Sequence, residues 1–293
     1  MTGASDLRAR LRGNLLAGNL VAGNLLAHAV LLMGTALFLL PIWLVFVGST
    51  LDSGAINRGE IGFLPRLEGL AIYPRLLSPA PGGVPVWRML ALSFAMALAI
   101  AAGKIAVSLL SAYAVAFFRF PGRMLCFWLL FITLMLPVEV RIIPTFAVVA
   151  DFGMVNTFAG LVLPLTASAT ATLLFRQAFV LVPDELVEAA RMDGAGPWRF
   201  LRDVLIPLSR TNMAALFVIL FVYGWNQYLW PLVVATDPRL DTITVGIVRM
   251  IGPESRTAWN EVMATAILAM LPPTLVVLAM LRWFVKGLTE SER

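Results

Sequence analysis

The chain has 293 residues, 60% of them hydrophobic and 13% charged, a composition that excludes an ordinary soluble globular domain and points to an integral membrane protein. Its formal charge of +5 calls for no nucleic-acid partner, because arginines gathered in the short loops on one side of a bilayer fix membrane orientation. With Cys126 the sole cysteine and His28 the sole histidine, there is no disulfide framework and no His/Cys metal cluster, and no catalytic residue or metal ligand is assigned.

Apolar runs of about 20 residues, long enough to cross a bilayer as helices, recur along the chain. They are too long and too evenly apolar for barrel strands, and helices satisfy their own backbone groups in lipid. The first residues carry Arg8, Arg10 and Arg12, followed by GNLLA at Gly13, GNLVA at Gly18 and GNLLA at Gly23. A five-residue period keeps no helical face. Residues 1–24 are therefore expected to form a cytoplasmic tail to which the repeat gives no function. The first span is placed at about 25–47, too long for the apolar core of a signal peptide. His28 lies at its cytoplasmic start as an interfacial residue.

Residues 49–87 contain Pro65, Pro74, Pro79, Pro81 and Pro85 with the Gly82-Gly83 pair, which favours an external loop. A second span follows at about 89–118, interrupted only by Lys104, and Arg119 and Arg123 mark an internal turn. The third, at about 124–150, is broken by Glu139 and Arg141 between Pro137 and Pro144, and Cys126 is expected to pack inside it. The fourth is placed at 158–180, the fifth at 213–235 and the sixth at 262–281. Together they make a transmembrane domain over 25–285, with a cytoplasmic tail at 286–293. Six spans put both termini inside, and thirteen basic residues then fall on the inner side against eight outside, the sign that orientation requires.

Between the fourth and fifth spans, residues 183–209 form a long, charged, sharply punctuated segment. Asp184 is expected to cap a short helix carrying Glu188, Ala189 and Ala190, and Asp193-Gly194 gives that helix its stop. Pro197 starts a second helix that Pro207 limits. On the first helix Leu186, Ala189 and Ala190 stand three and four residues apart, so the alanines would let another surface approach beside Glu188. The expected product is a helix, turn, helix docking element in the cytoplasm.

Two polar groups lie at membrane depth, where charge is costly and usually faces a bundle interior or a water-filled path. One is Lys104, read as a substrate-path cation or as a structural partner to a carboxylate such as Glu139; the other is Glu139 with Arg141. In the fifth span Asn226 and Gln227 stand among aromatics in YGWNQYLWP from Tyr223, and buried amides need polar partners or a polar cavity. These five residues are the candidate substrate path; the alternative for Glu139 and Arg141 is that they shape a broken helix or gate, and for Asn226 and Gln227 packing within an aromatic belt. No GxxxxGK[ST] occurs in the sequence, so nucleotide phosphates have no P-loop here.

The order Glu188-Ala189-Ala190, Asp193-Gly194-Ala195, Ile206-Pro207-Leu208 resembles the EAA loop of ABC importer permeases, the element that sits in a cleft of the ATPase subunit. LPVEVRIIP from Leu136, SATATLLFRQAF from Ser168 and YGWNQYLWP extend the resemblance to the carbohydrate-uptake permeases over almost the whole chain from the first span. The resemblance implies an all-α polytopic fold of the type I importer class, with six transmembrane helices and a cytoplasmic coupling loop. It implies residence in a bacterial inner membrane, beside membrane lipid. It also implies a heterodimer with a second permease, two ATP-binding subunits holding ATP and Mg, and a periplasmic or lipid-anchored binding protein, with no cofactor and no catalysis on this chain. Glu188 would pair with the ATPase groove, Ala189 and Ala190 would give close contact, and Gly194 the turn. The implied solute is sn-glycerol-3-phosphate, with glycerophosphodiesters or a neutral sugar as alternatives. Sugar-type relatives often carry an acidic residue where Gln227 stands, and the neutral amide would tolerate an anion.

Overall fold

The protein is represented by a computed structural model that describes the backbone of residues 3–78, 84–135, 138–252 and 257–290, and the side chains of 25–78, 84–132, 140–252 and 257–281. Among the described residues there is no strand. In chain order the helices are α1 (Gly3–Ser49), α2 (Ser53–Asn57), α3 (Ile72–Leu77), α4 (Val86–Phe117), α5 (Arg123–Met135) and α6 (Val138–Asp151). They continue with α7 (Phe158–Val162), α8 (Ala169–Val180), α9 (Asp184–Met192), α10 (Pro197–Phe200), α11 (Ile206–Leu208) and α12 (Arg210–Trp225). The last are α13 (Leu229–Val234), α14 (Ile243–Met250) and α15 (Trp259–Glu290). Two compact units result, one of residues 1–72 with 259–267 and one of 73–258 with 268–293.

In the first unit, α1 is helical from Gly3, so the segment read as a tail continues the first span. Helix formation there needs no single apolar face, since Leu, Ala and Arg all favour helix. Its Leu25–Ser49 stretch is long and apolar enough to cross a membrane. At its end the loop folds back and closes on itself. Thr50 Oγ1 accepts from the Arg66 backbone N–H at 3.0 Å, and Trp43 Nε1 donates to the Phe63 carbonyl at 3.0 Å. Only glycine fits at 69, because a Cβ there would meet the Thr50 carbonyl oxygen at 2.0 Å. Ser53 Oγ donates to Asn260 Oδ1 at 2.5 Å, tying α2 to the start of α15.

The second unit is organised on α4, a continuous 32-residue helix. Ala97, Ala101, Leu109 and Ala112 lie on one buried stripe, and Phe175 and Phe179 of α8 with Phe221 and Trp225 of α12 pack against it. The alanines bring the helices close: a Cβ at Gly224 would stand 3.0 Å from Ala97 Cα, the small-residue packing that membrane helices use where lipid supplies no hydrophobic drive. A smaller cluster joins Met96 and Ile100 of α4 to Val149, Leu161, Trp230 and Val234.

Six spans were expected, and among the described residues only three of them are single helices; the other three are broken. Among the described residues three helices are long and apolar enough to cross a membrane, Leu25–Ser49, Val86–Phe117 and Trp259–Leu281. The fourth expected span is a pair, Phe158–Leu165 and Ala169–Val180, bent by 47°. Its bend is set where Ser168 caps α8 by accepting from the Ala171 N–H at 3.3 Å. The fifth expected span divides into α12 and α13, and the third into α5 and α6. Arg176 of α8 stands over the Phe127 ring of α5 at 4.5 Å. Cys126 is exposed on α5 rather than packed; its neighbour Phe127 takes the side of α5 that meets Arg176 of α8.

Candidate functional site

The elbow between α8 and α12 is built as a stop and a restart. Val187 and Ala190, three residues apart, turn α9 toward the core of its own unit. Asp184 and Glu185 in its first turn and Arg191 in its last match the helix dipole. Asp184 is not the cap: Pro183, at φ −59° and ψ 140°, holds the N-cap position without a side-chain bond, and Asp184 is already helical. At the other end Gly194 N–H donates to the Arg191 carbonyl at 3.0 Å and Ala195 N–H to the Ala190 carbonyl at 2.9 Å. Gly194 sits at φ +70°, so these bonds form a Schellman stop that requires the left-handed region at that residue.

The restart follows from Gly196 at the N-cap and Pro197 at the first helical position of α10. Tyr113 of α4 donates through its hydroxyl to the Pro197 carbonyl at 2.9 Å, and Phe200 packs edge-on to Phe117 at 5.4 Å. Pro207 does not end the segment, as its position had led us to expect. A π turn over Leu201–Leu205 precedes it, widening the helix where the proline ring would press on the Asp203 carbonyl. The helix runs on through α11 and bends by 74° into α12. On its outer side Arg202 Nε donates to Asp203 Oδ1 at 2.7 Å, and that bond, with Arg199 close by, holds the Asp203 carboxyl below the usual range.

The expected coupling residues divide into two sets. Glu188, Ala189, Asp193 and Gly194 are exposed, and beside them stand the apolar side chains of Leu186, Met192 at 83% exposure and Trp198 at 73%. Exposed apolar groups around a charge make a surface that water does not favour. Ala190 is buried and Ala195, Ile206 and Pro207 are half-buried, with Ala195 and Ile206 packed on the core. Ala190, at 9% exposure, therefore makes its close contact with its own core, which corrects its reading as a contact for a partner. One face of so short a helix must bury apolar atoms to hold the elbow in place, and that face takes the second alanine.

The candidate path residues do not all meet. Lys104 and Arg141 line one cavity of ≈ 110 Å³ with Thr145, Leu165, Tyr223 and Trp230. Lys104 is buried, with Nζ 4.1 Å from the Tyr223 ring centroid. Trp230 turns its indole N–H away, to the Gly160 carbonyl at 3.1 Å. Gln227 is not on the cavity wall; it lies in the break between α12 and α13, and its Nε2 donates back to the Tyr223 carbonyl of α12 at 3.1 Å. Asn226 is exposed and caps the end of α12. The Glu139 side chain lies outside the described residues. Tyr223 and Thr145 were not singled out, and only their neighbours in sequence, the amides and Pro144, drew attention to the two segments. A second, mostly apolar cavity of ≈ 840 Å³ lies between α4, the elbow and α12, lined by Ile105, Leu109, Trp198, Met213 and Phe217. It shares no lining residue with the first.

Residues 104–290 match the family described as binding-protein-dependent transport system inner membrane component. A protein of Brucella melitensis biotype 1 named sn-glycerol-3-phosphate transport system permease protein UgpE is 55% identical over 268 residues, covering 90% of this chain and 95% of that one. Proteins of the same name from Agrobacterium fabrum and Salmonella typhi are 55% and 54% identical, with the same shares of each chain covered. Among solved structures, a chain of a bacterial ABC transporter involved in the import of the acidic polysaccharide alginate superposes with a TM-score of 0.73 at 23% identity. That match covers 88% of this chain and 94% of the other, and it speaks for the fold alone.

Proposed function

This chain belongs to the binding-protein-dependent transport system inner membrane components, and from that premise we propose that it is the membrane-spanning permease subunit of an ATP-driven importer for sn-glycerol-3-phosphate. Its multi-pass helical build and the name carried by relatives at 54–55% identity support the reading. The observation that carries it is the elbow: a rigidly stopped and anchored helix pair whose outer face offers Glu188, Ala189, Leu186, Met192 and Trp198 to a partner.

In this reading the chain is not catalytic. Two ATP-binding subunits holding ATP and Mg grip the elbow from the cytoplasm, where both termini of the chain also lie, in a bacterial inner membrane. A second, related permease completes the pathway, and a periplasmic or lipid-anchored binding protein delivers the solute. ATP draws the ATPases together, and the elbows turn with them as rigid bodies. Tyr113 and Phe200 join the elbow to α4, so a turn of α9 and α10 is passed directly to the helix at the centre of its unit.

The test is uptake by the assembled importer in proteoliposomes. Uptake of sn-glycerol-3-phosphate that depends on ATP, and exceeds uptake of glycerophosphocholine and maltose, is the expected result. Uptake that proceeds without ATP, or that favours maltose, overturns the reading.

A further inference from the structure

We infer that Lys104 and Arg141 form a station for the phosphoryl group of the solute within the membrane, a proposal that rests on the reading of this chain as an importer permease for sn-glycerol-3-phosphate. The station is the ≈ 110 Å³ cavity between α4, α6, the turn after α7 and the end of α12.

Two like charges share that cavity, and among the described residues no carboxylate lies within ion-pair distance of either. The arrangement is expensive. Lys104 is buried to 6% exposure in the middle of a membrane helix, and burying a charge carries a desolvation cost that only a charged or polar partner offsets. Its nearest recorded support is the face of Tyr223 at 4.1 Å, a soft and incomplete substitute for an anion. Stability alone would favour an apolar residue at 104, as at Ala97, Ala101, Leu109 and Ala112 of the α4 stripe.

An anion that visits the cavity removes the expense. The ammonium of Lys104 is a compact point charge and the guanidinium of Arg141 a planar fork, the two donor types that proteins use on phosphate. Thr145 adds a hydroxyl at the wall, although in the present state it donates to the Arg141 carbonyl at 2.7 Å. The volume holds a few waters at about 30 Å³ each. That matches the oxygens of a phosphoryl headgroup and is too small for a whole disaccharide. Trp230 and Leu165 close the remaining wall with apolar surface, which keeps the site weak enough to release. Asn226 and Gln227, read from sequence as path residues, are not part of this station.

The experiment uses the complete importer in proteoliposomes, with sn-glycerol-3-phosphate as the probe and three variants: Lys104→Met, Arg141→Gln and Lys104→Arg. Loss of a charge-assisted contact lowers ATP-driven uptake by roughly tenfold or more in each of the first two, while Lys104→Arg retains most of it. The unfolding temperature of Lys104→Met stays equal or rises. That readout separates a transport role from a structural one, since a merely structural lysine would lose stability and uptake together. Parent-level uptake in Lys104→Met and Arg141→Gln overturns the station, as does a Lys104→Met variant whose stability and uptake fall in step. The unsubstituted complex tests the underlying reading by itself: if it carries maltose and not sn-glycerol-3-phosphate, that reading fails whatever the variants do.

Discussion

Replacing Gly194 by alanine isolates the turn of the elbow from everything around it. The residue sits at φ +70°, and a Cβ built there meets nothing within 4 Å, so no packing change accompanies the substitution. The cost is the left-handed backbone alone, about 1–2 kcal/mol for a residue bearing a Cβ. If the freed chain relaxes, the stopped geometry of α9 becomes roughly 5 to 30 times less populated relative to alternatives. Gly196, two residues on, is the internal control: its φ of −69° is ordinary and its Cβ position is equally open. The assay is the ratio of solute taken up to ATP hydrolysed by the assembled importer in proteoliposomes. Gly194→Ala lowers that ratio and weakens retention of the ATPase during purification. Gly194→Asn, whose side chain tolerates the left-handed region, recovers most of it, and Gly196→Ala matches the parent. Equal ratios in Gly194→Ala and Gly196→Ala would refute the role given to the turn.

Three further outcomes follow from the same structure. Gly224→Ala forces a Cβ to within 3.0 Å of Ala97 Cα and 3.3 Å of its carbonyl oxygen; backbone cannot yield as a side chain does, so thermal unfolding in detergent shows a loss of about 1–3 kcal/mol, and an unchanged midpoint speaks against the close α4 to α12 packing. Tyr113→Phe removes the hydrogen bond to the Pro197 carbonyl at a cost of about 1 kcal/mol; it increases proteolytic cleavage within 193–200, and unchanged cleavage would show that the bond does not hold the elbow. In the loop before α14, burial pushes the Asp241 carboxyl above its usual range, while Arg249 Nη2 lies 3.2 Å from its Oδ1 without hydrogen-bond geometry. A raised carboxyl pKa gives stability that is present below the unfolded value and lost as pH rises through the folded value, so Asp241→Asn gains on the parent as pH goes from about 4 toward 7. A difference in unfolding temperature that stays flat with pH contradicts this.

Much of the elbow was legible because its signals are local. Gly194 after Asp193 and Pro197 after Gly196 are backbone instructions, and the structure obeys both. The reading failed where the outcome depends on what lies opposite. Nothing within EAA says which alanine faces inward; that is decided by Phe200 and the α4 surface beneath it, and Ala190 took the buried side. Asp184 is a good N-cap residue, yet Pro183 had already fixed the chain entry, leaving the carboxylate to act through the dipole. Pro207 ends many helices, but a π turn two residues earlier absorbs it. At membrane depth the same limit applies. The cost of Lys104 and Arg141 could be read from composition, whereas their sharing of one cavity depends on the bend after α7 and on Tyr223, which no periodicity announces. Gln227 looked like a path residue because an amide in lipid needs a partner, and it found that partner four residues back, in the Tyr223 carbonyl at the end of α12.

Cross-linking from the elbow tests most directly the claim that this chain is moved from the cytoplasm by a partner ATPase. In a Cys126→Ala background, Glu188→Cys is treated with a short thiol-reactive cross-linker in the assembled importer, with and without ATP. Adducts to the ATPase subunit are the expected result, with a yield that changes when ATP is bound. Adducts only to the binding protein, or labelling of position 188 by an impermeant reagent added from the periplasmic side, would contradict it.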